Sequence, residues 1–358
     1  MRYGGEKERE RSKSLRRFII GFVSIFLVIV IVTGVFIKCT YFSHKLPTKS
    51  IKMEDVRSVQ IINLDRAKER RANYEKMLHD NFGDKFLGHK IGDEIRFRAV
   101  DGKKDVILEN LSTGQKFDYN QLKDKDMVEI FNKDLWKGYI RGQQQYYIYF
   151  ANEITHDKDD VLITIFNKFG CHLSFLKAIS NVAKQPDGTW GIIFEDDFKV
   201  EKDFYQKMEK ILGNIPADAG ILKLNIAYKL VIKDGTKHWV PLERKKVPFS
   251  EIIKSGIYRK ILKSWRQFGY SGDWVRCVKN LGNEYMSSNA CFMIKAETAR
   301  QFLKYYPSHI PPITGNEGII YSTEEHNAYV YLKDMPVMIN HDDTIKSVIG
   351  TIRLNNKK

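Results

Sequence analysis

Five consecutive apolar residues, Trp190-Gly191-Ile192-Ile193-Phe194, run straight into three carboxylates, Glu195-Asp196-Asp197. A short apolar run without polar alternation reads as a strand covered on both faces, the kind found inside α/β sheets. In open α/β sheets, ligands sit outside the carboxyl ends of the strands. Three adjacent carboxylates there repel one another, and a divalent cation relieves that repulsion. An all-oxygen ligand set suits Mg²⁺ or Mn²⁺. Such an ion would neutralise a substrate diphosphate and stabilise it as a leaving group. Taken alone, the triplet is equally what a strand end carries where it opens into a solvated loop.

The flanking pattern fits the same class of fold. Val and Ile over 56–64 predict a buried strand, and Tyr74, Met77, Leu78 and Phe82 fall at helical spacing behind Asp65. Ile95, Phe97 and Ala99 alternate with polar neighbours and end at Asp101-Gly102, a turn signal. Residues 103–160 are charged, carry the cluster Tyr146-Tyr147-Tyr149-Phe150, and are expected to be an insertion with one or two helices. Leu173, Leu176, Ile179 and Val182 mark one face of a helix, closed by the turn Pro186-Asp187-Gly188. Further strands are predicted over 220–225 and 337–339, and a helix over 296–305 with Ala299, Phe302 and Leu303 inward. Strands alternating with helices imply an α/β domain with a largely parallel sheet. No internal repeat is visible.

Residues 18–37 are apolar except for Ser24 and Thr33 and carry no charge. About 20 such residues span a bilayer as a helix, and no small-residue cleavage site follows. Arg2, Lys7, Arg9, Arg11, Lys13, Arg16 and Arg17 precede the stretch, against Lys38, Lys45, Lys49 and Lys52 after it. Positive residues stay cytoplasmic, so the expected topology is a single-pass type II protein. It has a cytoplasmic tail over 1–17, an anchor over 18–37, a polar stem over 38–54 and a folded domain over 55–358. The net charge of +15 is spread along the chain among acidic residues, so nucleic acid is not an expected partner. Four cysteines, Cys39, Cys171, Cys277 and Cys291, are too few and too separated for a disulfide framework or zinc finger. A Cys277–Cys291 bridge and buried free thiols both remain open. Asn110-Leu111-Ser112 is a sequon, relevant only in a eukaryotic secretory lumen.

A set of segments, in order, resembles glycosyltransferase family 25, the lipooligosaccharide and procollagen galactosyltransferases. Ile61-Ile62-Asn63-Leu64-Asp65-Arg66 with Arg70-Arg71 is similar to the family's opening strand and arginine-rich turn. Arg98-Ala99-Val100-Asp101-Gly102 is similar to its A-x-D-G segment, and Gly170-Cys171-His172-Leu173-Ser174 to its G-C-x-L-S segment. The strand bearing Glu195-Asp196-Asp197, then Ile221-Leu222-Lys223-Leu224, then the stretch from Ser287 to Ile294 complete the order. The resemblance covers roughly 56–305. Its main departure is Phe175, where the family has a histidine after L-S.

The resemblance implies a GT-A-like nucleotide-binding α/β domain that takes a UDP-sugar, with Mn²⁺ as the expected metal. It implies transfer of a hexose, galactose first, by inversion to a saccharide or protein-linked hydroxyl. Asp197 is then the first metal ligand, Glu195 a ligand to metal or ribose, and Asp196 a further donor contact. Asn63, Asp65 and Arg66 follow the first strand, where a base or ribose would lie. Asp101 is a candidate uracil or ribose contact, or a turn former with Gly102, and Asn63 has a capping or turn role as its alternative. Arg66 and Arg70 either face phosphate or are solvated helix residues, and Arg70 is expected to be solvated. Inversion needs a general base near the acceptor, and the candidates are Glu317, Glu324 and Glu325. His326 or His341 would complete the metal shell or else be structural. Trp239, Trp265 and Trp274 are acceptor-stacking or core residues.

Nucleotide sugars are imported into the Golgi and ER, so a type II enzyme fits a lumenal catalytic domain there. An inactive relative serving adhesion or as a scaffold is the alternative function. A metal-dependent phosphohydrolase would show separated Asp and His motifs that the chain lacks.

Overall fold

A computed structural model describes residues 20–24, 26–30, 47–122, 135–144, 146–150, 158–225, 228–233, 236–241, 270–271, 274–276, 290–305, 326–331 and 336–339. The first long strand, β1 (Val56–Asn63), is buried on both faces, with Val59 and Ile61 toward one layer and Ile62 toward the other. Helix α1 (Lys68–Phe82) follows, with Tyr74 and Leu78 on its buried side. Strand β2 (Arg96–Arg98) returns parallel to β1, placing Phe97 opposite Ile62. The expected turn at Asp101-Gly102 is the start of a one-turn helix, α2 (Gly102–Asp105), whose N-cap Asp101 accepts a hydrogen bond from the Lys103 N–H at 3.1 Å.

The insertion differs from expectation. Within 103–160 the chain forms a four-stranded antiparallel sheet from β3 (Val106–Asn110), β4 (Lys116–Phe117), β5 (Leu135–Ile140) and β6 (Tyr146–Phe150), in the order β4-β3-β5-β6. One short helix, α3 (Tyr119–Leu122), accompanies it. Val106 and Leu108, and Trp136 and Ile140, are the buried members of strands whose alternate residues face outward. Charged residues at those outer positions masked the period of two. Asn110, the sequon asparagine, is buried, and its side-chain oxygen accepts from the Ser112 and Thr113 N–H groups, so it holds a turn and is not exposed for a glycan.

Helix α4 (Lys158–Ala183) then leads through the Pro186 turn into β7 (Trp190–Glu195). Helix α5 (Phe204–Leu212), β8 (Ile221–Lys223), the hairpin β9 (Tyr228–Lys233) and β10 (Thr236–Pro241), β11 (Tyr270–Ser271) and β12 (Trp274–Arg276) come next. Strand β13 (Cys291–Lys295), helix α6 (Ala296–Tyr305), β14 (Ala328–Tyr331) and β15 (Met338–Ile339) follow. The main sheet has the order β11-β12-β14-β8-β13-β7-β1-β2. The parallel arrangement is realised where β7, β1 and β2 lie side by side, while β13 runs against both β7 and β8. Helices α4 and α6 cover one face, and α1 and α5 the other. Cys291 is a buried free thiol in β13, and Cys277 lies outside the described residues. Trp274 is core: its ring lies 5.1 Å from that of Tyr331, and its Nε1–H donates to the Asn214 carbonyl. Trp239 lies in β10, and Trp265 lies outside the described residues.

The chain joins this fold before residue 55. Thr48–Lys49 pairs antiparallel with Ile215–Pro216, and the Ile51 N–H donates to the Leu212 carbonyl, so the end of the expected stem is stitched to the domain by main-chain bonds. Residues 20–24 and 26–30 are helical with Phe22, Phe26 and Ile29 exposed. Among the described residues no helix is long and apolar enough to cross a membrane, and the rest of 18–37 lies outside them.

Two glycines set how closely α4 approaches the loop after β2. A Cβ on Gly102 would lie 2.1 Å from the Phe166 carbonyl oxygen, and one on Gly170 would lie 2.8 Å from that of Val100. Ser174 completes the clamp by accepting from the Val100 N–H at 2.8 Å and donating to the Gly170 carbonyl at 2.7 Å. We therefore expect Gly102→Ala to destabilise the fold by about 1–3 kcal/mol, as overpacking does. Urea unfolding should show a lower midpoint at unchanged slope, and an unchanged midpoint would contradict this packing.

Candidate active site

Strand β7 delivers the acidic run to the sheet edge, where the Glu195 N–H donates to the Ala290 carbonyl at 3.1 Å. The three carboxylates there border a cavity of 130 Å³ together with Arg66, Arg70, Gly102, Asn167, Cys171, Ser174 and Phe175. Their environments differ. Asp196 accepts from Asn63 Nδ2 at 2.8 Å and from Arg70 Nη1 at 2.7 Å. Both partners of that ion pair are largely buried, at 11% exposure for Asp196 and 15% for Arg70. Arg70 is thus not a solvated helix residue, because α1 points it back across β1 at the acidic run. Asp197 has a buried Oδ1 with no hydrogen-bond partner. Burial, opposed by Arg70 and by the residue's own backbone N–H and reinforced by the neighbouring Asp196 charge, pushes its carboxyl up to about 6.

The other residues named from sequence are placed differently from one another. Asn63 is fully committed to positioning: it also donates to the Ala67 carbonyl and accepts from Arg96 Nε, both at 3.3 Å. Arg66 borders the cavity and pairs with Asp101 at 2.6 Å, so Asp101 both caps α2 and anchors that arginine. Asp65 turns away from the cavity. It is 55% exposed and pairs with Arg96 and, at 2.8 Å, with Arg98, and hydrogen bonding from Arg96 holds its carboxyl below the usual range. Glu317, Glu324, Glu325 and His341 lie outside the described residues.

His326 does not reach the acidic run. It precedes β14, which runs parallel to β8, and β8 points the same way as β7 because both oppose β13. The imidazole is therefore at the far edge of the sheet, buried with its ring 5.3 Å from that of Phe302. Sequence reading named Cys171, Ser174 and Phe175 but missed Asn167 and the face of α4 that they share. Asn167, Cys171, Ser174 and Phe175 fall at helical spacing and line the cavity, and the signal was polar residues recurring every third or fourth position in an apolar helix. Phe175, at the departure from the family pattern, packs its ring 5.9 Å from that of Phe292.

Residues 57–314 match the family described as Glycosyltransferase family 25 (LPS biosynthesis protein). The chain belongs to glycosyltransferase family 25. No curated protein matches it closely enough to add to this. Family membership indicates a glycosyltransferase and implies a nucleotide-sugar donor and an acceptor. Every segment that carried the resemblance lies within the matched span. Three of them, around Asn63, Gly102 and Ser174, meet at the cavity beside the acidic run.

The residues present fit a divalent cation. Among the described residues no three acidic, histidine or cysteine side chains converge as a ready cage. A hard cation of the Mg²⁺ kind is, however, commonly held by one or two carboxylates plus substrate phosphates. Asp197, whose Oδ1 is buried and unsatisfied, would supply the first of these, and Glu195 lines the same cavity.

A pH signature follows from Asp197. In the unfolded chain its carboxyl returns to about 3.8, so between roughly pH 4 and 6 the folded chain binds more protons and stability falls as pH rises. Above that window the penalty is complete. In buffer with chelator, Asp197→Asn should be more stable than wild type at pH 7.5 by roughly 2–3 kcal/mol. That difference should shrink toward pH 4, as urea unfolding would show. A variant less stable at pH 7.5, or a difference independent of pH, would contradict the burial of an unpaired charge.

Proposed function

We propose that this family 25 protein is a metal-dependent, GT-A-like glycosyltransferase that moves a hexose from a UDP-sugar to a hydroxyl of a saccharide or protein-linked acceptor. Galactose is our first choice of sugar. The observation that carries the reading is the buried, unsatisfied Asp197 Oδ1 beside Asp196 and Glu195 at the end of a central strand. A carboxylate held that way is under-neutralised, and a cation arriving with an anionic donor removes the deficit. Mn²⁺ is the proposed ion. When bound it would neutralise the diphosphate as the bond to the sugar breaks.

The chain's own residues divide the remaining work. Asn63 and Arg70 fix the Asp196 carboxylate, so that the acidic run does not rotate. Arg66, anchored by Asp101, presents a cation at the cavity rim, where donor phosphate would lie. Phe175, backed by the buried ring of Phe292, makes its part of the wall apolar, which would exclude water near the reacting centre. Inversion would need a carboxylate base on the acceptor side, and Glu317, Glu324 and Glu325 are the candidates to be tested by single replacement. We further propose that residues 18–37 form the single anchor of a type II protein with its catalytic domain in the Golgi or ER lumen. Support comes from the uncharged length of that segment and the excess of Lys and Arg before it.

The protein incubated with Mn²⁺ and a panel of nucleotide sugars should release UDP from one UDP-hexose when acceptor is supplied. Asp197→Ala should lower that release about 100-fold or more. Undiminished release in the variant would remove Asp197 from the site, and no release with any donor would favour a scaffold role.

A further inference from the structure

Arg70 pairs with the acidic run in an incomplete way. A guanidinium has five N–H donors and cannot lose its charge in a protein. Here a single contact, Nη1 to Asp196 Oδ1 at 2.7 Å, holds the ion pair, and the Nε–H is buried without an acceptor. Fork-to-fork pairing, the strong form of this interaction, is therefore not made. In the same cavity, Asp197 Oδ1 is buried without a donor. Arg66, the second arginine at the cavity, is committed to Asp101 and leaves Arg70 as the cation serving the run among the described residues.

From these positions we propose that Arg70 and the divalent cation compete for the acidic run, so that Arg70 weakens cation binding and sets its affinity. The inference rests on the metal-dependent reading given above. Arg70 carries the same sign of charge as the ion and contacts one of the carboxylates beside which the ion would sit. Its single-point contact lets the guanidinium yield Asp196 without breaking a bidentate bond. A charge within a few ångströms moves a carboxylate's proton affinity by one to three powers of ten, and a divalent ion feels it at least as strongly. Removing the charge of Arg70 should therefore tighten cation binding by about tenfold or more.

The measurement is Mn²⁺ affinity of the full chain without donor, read from loss of the free-ion paramagnetic resonance signal, with folding checked by circular dichroism. Arg70→Gln should bind Mn²⁺ about tenfold more tightly than wild type, Arg70→Lys within about threefold of it, and Asp197→Asn far more weakly. Equal or weaker binding by Arg70→Gln, with wild-type binding still dependent on Asp197, would overturn the competition and leave the metal site standing. Tightening by Arg70→Lys as large as that expected for Arg70→Gln would overturn it too, even if the glutamine variant failed to fold. No Mn²⁺ binding by either wild type or Arg70→Gln would overturn both the competition and the metal-dependent reading.

Discussion

Three carboxylates at the end of one buried strand must be neutralised, and the surrounding structure is arranged around how unevenly that is done. Asp196 receives a buried arginine and an amide, Glu195 turns to the cavity on the α4 side, and Asp197 is left with a buried unpaired oxygen. A charge taken out of water without a partner is strongly penalised. The penalty is borne locally by the carboxyl of Asp197, raised to about 6, and globally by the sheet that pins the run in place. Strand β7 is paired on both sides over most of its length, which fixes the base of the run at Glu195.

The second constraint is close approach. Gly102 and Gly170 allow the loop after β2 to lie against the backbone of α4, and Ser174 locks the two together. That contact forms part of the wall of the 130 Å³ cavity that the acidic run borders. Packing and electrostatics therefore meet at the same place: four of the segments that make the family recognisable either shape this cavity or charge it.

The strand and its acidic end were legible as an unbroken apolar run that stops at charge, and α1, α6 and the buried face of α4 because each shows a helical periodicity over enough residues. Strand β3 and its neighbours were not, because Glu109 and Lys137 at outward positions made a half-buried antiparallel sheet look like a charged insertion with one or two helices. Arg70 was misread because helix periodicity says which face is polar but not what a polar face meets, and here it meets Asp196 from another element. Asp65 looked equivalent to its neighbour Arg66, yet the arginines of β2 draw it to the sheet edge. His326 has metal-ligand chemistry, but chain order does not reveal which end of the sheet a residue occupies, and that requires the antiparallel β13.

The central claim is that Asp197 at the end of β7 holds the cation on which donor chemistry depends. Anomalous diffraction from crystals of the protein grown with Mn²⁺ and UDP would test it most directly. A manganese peak about 2.1 Å from a carboxylate oxygen of Asp197 is the expected result. A peak elsewhere in the molecule, with Asp197 still unliganded, would contradict it.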